Sequence, residues 1–69
     1  MDTKYIVTGM TCGHCVNAVT EEVGEVDGVD GVNVTLEGGE MVVTSASAVD
    51  FGAIEEAVKE AGDYTVAAA

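Results

Sequence analysis

A chain of 69 residues makes one domain, expected over 1–69, and leaves no room for a second core beside an extended active site, which argues against a cleft enzyme. Thirteen acids against Lys4 and Lys59 give a net charge of −11. That balance repels nucleic-acid phosphates and anionic membranes and attracts basic protein surfaces.

Apolar residues make up 48% of the chain, but Tyr5, Phe51 and Tyr64 are the only aromatics, so the core has to come mainly from Val, Ile, Leu, Met and Ala. No basic-apolar leader opens the sequence, no apolar run is long enough to span a bilayer, and no lipidation signal closes it. The expected location is therefore the cytoplasm, without membrane insertion. Its two cysteines, Cys12 and Cys15, cannot build the multi-bridge framework of a small secreted domain, and a reducing compartment keeps them as thiols.

Tyr5 and Val7 alternate with Ile6 and Thr8 between Lys4 and Gly9, a period of two that predicts a strand running into the Gly9-Met10-Thr11 turn. The cysteines follow directly. Val16, Val19, Val23 and Val26 then fall on one stripe of a helix of about three turns, with Glu21 and Glu25 on the opposite face. Gly24 weakens the last turn, and Asp27-Gly28-Val29-Asp30-Gly31 reads as a loop.

A hairpin is predicted next, with Val32, Val34 and Leu36 going up, Gly38-Gly39 as a two-residue turn, and Met41 to Val43 returning. That turn sets Glu37 against Glu40, Leu36 against Met41, Thr35 against Val42 and Val34 against Val43. The repulsion between Glu37 and Glu40 is a small cost at an exposed hairpin end.

Asp50 is placed to cap a second helix, with Val49 and Ile54 as a hydrophobic staple and Phe51, Ile54, Val58 and Ala61 facing inward. Glu55 and Lys59 are four apart in the favourable order, and Gly62 is expected to stop the helix in a left-handed conformation. Tyr64, Val66 and Ala68 alternate as a last strand. The order βαββαβ predicts an α+β, ferredoxin-like sandwich, a four-stranded antiparallel sheet with two helices on one face.

Cys12-Gly13-His14-Cys15 falls between strand and helix, where unpaired N–H groups favour thiolate over thiol. A two-residue spacer lets both sulfurs converge on one ion, and thiolate pairs select soft d¹⁰ metals, Cu(I) foremost. Zinc is less well served, because a structural zinc site wants four protein ligands and only His14 stands nearby as a third. No Asp, Glu, Lys or Arg lies between Lys4 and Glu21, so few hard oxygen donors compete near the loop. An exposed, low-coordinate site can also accept an incoming thiolate and so pass its metal on without releasing it.

Gly9-Met10-Thr11-Cys12-Gly13-His14-Cys15 resembles the G-M-T-C-x-x-C signature of heavy-metal-associated domains, which occur as copper chaperones and as N-terminal modules of copper-transporting P-type ATPases. The likeness covers nearly the whole chain and extends to Val29-x-x-Val32-x-Val34 and Ala57-Val58-x-x-Ala61-Gly62. It implies copper homeostasis and metal transport, with Cys12 and Cys15 as ligands, Met10 packed beneath the loop, and Cu(I) as cargo. Thr11, where zinc and cadmium members carry an acid, favours copper over Zn(II) or Cd(II); Ag(I) and Hg(II) are surrogates. The implied partner is the metal-binding domain of a copper-transporting ATPase, and the implied state a monomer or a metal-bridged dimer.

In one respect the chain departs from the family, which places Tyr, Phe or Lys directly after the glycine ending the second helix. Here Gly62-Asp63-Tyr64 gives that place to Asp63 or, after a one-residue bulge, to Tyr64; the alternation of Tyr64-Thr65-Val66 favours Tyr64.

Cys-Gly-His-Cys is also the active-site tetrapeptide of protein disulfide isomerases, which makes a thiol-disulfide oxidoreductase the rival reading. Against it stand the absence of an aromatic before Cys12, the absence of any proline, and the short chain. A module cut from a copper or zinc/cadmium ATPase is a further alternative. His14 is expected to face solvent, tuning the thiolate charge or bridging a partner, rather than to ligate. Met10 is expected in the core rather than on the metal. The acids Glu21, Glu22 and Glu25 suit either a docking face for a basic partner or a generally acidic, salt-tolerant surface.

Overall fold

The computed structural model describes residues 1–11 and 13–69; Cys12 lies outside the described residues. Strand β1 (Asp2–Thr8), helix α1 (Gly13–Gly24), strands β2 (Val29–Val34) and β3 (Glu40–Ser45), helix α2 (Phe51–Ala61) and strand β4 (Thr65–Ala68) follow in that order. The four strands form one antiparallel sheet in the order β2-β3-β1-β4. This is the expected ferredoxin-like arrangement, in which each helix crossover skips one strand position, held by β3 between β1 and β2 and by β1 between β3 and β4.

Alternation along the strands separates the two faces of the sheet. Tyr5 and Val7 of β1, Met41 and Val43 of β3 and Val66 of β4 are buried, and they meet across the ladders as Tyr5 with Met41 and Val7 with Val66. The helices close over this layer through Val19 and Val23 of α1 and Ile54, Ala57 and Val58 of α2. Phe51, expected inside, sits at the rim: it is 38% exposed, with its ring centroid 5.9 Å from that of Tyr5. On the opposite sheet face Lys4, Thr8, Glu40 and Thr44 are exposed, and Lys4 Nζ pairs with Glu40 Oε1 at 3.1 Å.

The hairpin between β2 and β3 differs from the expected one. Val34 pairs with Met41, Asn33 with Val42 and Val32 with Val43, and the Thr35 N–H donates to the Glu40 carbonyl at 2.8 Å. The register is therefore two residues away from that of a Gly38-Gly39 turn, and Leu36 leaves the sheet for a four-residue loop, 42% exposed. A slip of two keeps every side chain on its face, so the apolar alternation fits both registers equally. The observed one releases Glu37 from direct pairing with Glu40. Gly38 and Gly39 both take positive φ, 78° and 68°. Gly39 is also buried against β1, where a Cβ would collide with the Val7 carbonyl oxygen.

Strand β2 also begins earlier than expected, inside the segment read as a loop. Val29 pairs with Ser45 and Gly31 with Thr44, so Asp30 is the extra residue of a bulge. The bulge resets the alternation, and Val29 and Val32, three apart, both pack against the core. Asp50 does occupy the N-cap position of α2, but its side chain makes no capping bond; its carbonyl accepts from the Ala53 and Ile54 N–H groups at 3.1 and 3.3 Å. No helix among the described residues is long and apolar enough to cross a membrane.

Candidate metal centre

The β1–α1 junction is built by a change of backbone direction at Gly9, whose φ of 107° suits a residue without Cβ. Met10 follows, half-buried and packed against the core. Thr11, Gly13 and His14 are exposed, and His14 accordingly faces solvent.

Cys15 stands in the first turn of α1 and is half-buried. A helix N-terminus presents amide N–H groups without intrahelical acceptors, an environment that favours thiolate over thiol. Thr11 Oγ1 lies 3.8 Å from Cys15 Sγ, a hydrogen bond in which either atom can be the donor. The expected second ligand, Cys12, falls outside the described residues. Among the described residues no group of three or more His, Cys, Asp or Glu side chains gathers as a metal-binding cluster, and no pocket opens. The chemistry available here is that of a surface loop.

Tyr64 reaches the same loop from the other end of the chain. A Cβ built on Gly9 would lie 3.3 Å from Tyr64 Cδ1 and 3.2 Å from the Asp63 carbonyl oxygen, while Asp63 itself is exposed. Of the two candidates, it is Tyr64 whose side chain lies against the loop.

Gly62 was expected to be left-handed. Its φ of 160° and ψ of −166° are instead extended, a conformation open to any residue. What crowds that position is the Tyr64 ring, which a Cβ would meet at 2.8 Å from Cε2. No pattern in the sequence announces this crowding, since it is made by the ring of a residue two places on.

A ferredoxin-like domain that offers a cysteine from an exposed first strand-to-helix junction has the architecture of a small metal-binding module. Residues 4–63 match the profile of the heavy-metal-associated domain, and the chain belongs to that family. It is 47% identical over 69 residues to the copper chaperone CopZ of Bacillus subtilis strain 168, an alignment that covers 97% of this chain and 99% of the relative. Among solved structures, a CopZ metallochaperone superposes with a TM-score of 0.86 at 32% identity, covering 97% of this chain and 100% of the other. A copper binding domain from HMA7, a P-type ATPase, superposes with a TM-score of 0.87 at 28% identity, covering 99% and 92%.

Proposed function

We propose that this protein is a copper metallochaperone that holds one Cu(I) ion between the thiolates of Cys12 and Cys15 and delivers it in the cytoplasm to a copper-receiving protein, a copper-transporting P-type ATPase foremost. The observation that carries the reading is the near end-to-end likeness to a relative named as a copper chaperone. The placement of Cys15 supports it, since a sulfur on the first turn of α1 at an exposed loop is open to a partner.

Two thiolates neutralise Cu⁺ with one negative charge left over, and soft sulfur donors satisfy a d¹⁰ ion at low coordination number. Transfer then proceeds by ligand exchange. A thiolate of the partner adds to copper to give a three-coordinate ion, one of Cys12 and Cys15 leaves, and a second exchange frees the other. Copper remains monovalent throughout, sulfur is neither oxidised nor reduced, and no free ion is released.

Around this exchange Met10 holds the loop to the core, and Thr11 stabilises the sulfur charge by donating to Cys15. Exposed His14 tunes the thiolates or meets the partner, and Tyr64 shields the base of the loop. Glu21 and Glu22 of α1, with Glu25 just past its end, offer a basic partner a complementary acidic surface.

Anaerobic titration with Cu(I) against a competing chelator tests the proposal. About one ion should bind per chain, and binding should be lost in Cys12→Ser and in Cys15→Ser because the metal's ligands are deprotonated sulfurs. Substantial Cu(I) binding by the double variant would end it.

A further inference from the structure

We propose that Gly62 is a positioning residue for the metal loop: it forms a slot that seats the Tyr64 ring, and the ring braces Gly9, from which the loop departs. The consequence for copper rests on the carrier reading above; the ring geometry does not.

One ring occupies the space that a side chain would need at two glycines remote from each other in sequence. A Cβ at Gly62 would lie 2.8 Å from Cε2, 3.0 Å from Cζ and 3.2 Å from the hydroxyl oxygen of Tyr64, and a Cβ at Gly9 would lie 3.3 Å from Cδ1. Cδ1 and Cε2 are diagonally opposite atoms, so the two glycines approach opposite corners of the ring. Comfortable carbon contacts lie at about 3.5–4.0 Å, which leaves no place for a methyl group at Gly62 unless the ring moves. The Tyr64 N–H donates to the Gly62 carbonyl at 2.8 Å, and this tight turn folds Tyr64 back over Gly62 while Asp63 is left exposed.

The backbone makes Gly62 a clean probe. Its φ of 160° is extended, so alanine fits the main chain and acts only by pushing the ring, by roughly 0.5 Å or more, toward ordinary contact distance. Gly9 offers no such probe, because at φ 107° any Cβ brings backbone strain as well.

The experiment compares wild type, Gly62→Ala, Tyr64→Ala and the double variant. In the metal-free wild type, proton NMR should show contacts between the Tyr64 ring and the Gly9 α-protons, and Gly62→Ala should weaken them. In the chelator competition Gly62→Ala should weaken Cu(I) binding about tenfold, as supports around a metal site do, and should add nothing once Tyr64 is alanine. A Gly62→Ala chain that fails to fold alone but folds with Tyr64→Ala reports the same steric coupling.

Ring contacts unchanged in Gly62→Ala, or an effect of equal size with and without the ring, would overturn the proposal. So would failure to fold in both backgrounds. A wild type that binds no Cu(I) refutes the carrier reading instead, and the NMR comparison still decides the slot.

Discussion

Gly38 and Gly39 form a matched pair for testing how the β2–β3 loop is held. Both have positive φ, 78° and 68°, yet a Cβ at Gly38 would meet nothing within 4 Å while one at Gly39 would strike the Val7 carbonyl. Alanine at Gly38 therefore incurs only the left-handed backbone cost, about 1–2 kcal/mol. Alanine at Gly39 adds overpacking against β1, about 1–3 kcal/mol more, for a sum of roughly 2–5 kcal/mol. A domain of this size holds roughly 3–10 kcal/mol in all, so Gly39→Ala should sit near the edge of folding while Gly38→Ala stays folded. Urea denaturation of the metal-free proteins, with circular dichroism as the readout, measures both losses, and an unchanged m-value licenses the comparison. Equal losses would refute the close approach to Val7 and favour a freestanding two-residue turn, in which the two glycines are equivalent.

Three other outcomes are expected. At 0.01 M salt the Debye length is about 30 Å, which matches the longest dimension of the molecule, 30 Å, so every acid feels the net charge of −11; the thermal midpoint should rise as NaCl is added to 0.5 M, and a flat or falling midpoint would show that self-repulsion is unimportant. Replacing Thr11 by Val should weaken Cu(I) binding roughly fivefold, the worth of one hydrogen bond of about 1 kcal/mol, and Thr11→Ser should restore it; equal chelator competition by all three proteins would remove the hydroxyl from the site. In an insulin-reduction assay the wild type should show no catalytic turnover, and turnover that depends on both Cys12 and Cys15 would reverse the choice between carrier and oxidoreductase.

Local order was legible in the sequence because it is written in short periods. The alternation of Tyr5 and Val7 placed β1 and its buried face, the three-and-four spacing of Val19 and Val23 placed α1, and Ile54 with Val58 placed α2. Burial rewards each pattern independently of what lies across from it. Glycine and cysteine types at fixed spacing likewise brought Met10, Thr11 and Cys15 to one junction, since a few consecutive residues cannot be far apart.

Tertiary structure decided whatever depended on contact between remote segments. Alternation sets the parity of a strand but not its absolute register, so Val34 rather than Leu36 opposite Met41 had to be settled by the fit of Gly39 against Val7. The same holds for the bulge at Asp30, which a period-two reading takes for loop. It holds most of all for the Tyr64 ring between Gly9 and Gly62, because two glycines at opposite ends of the chain carry no signal of a shared neighbour until folding brings them to it.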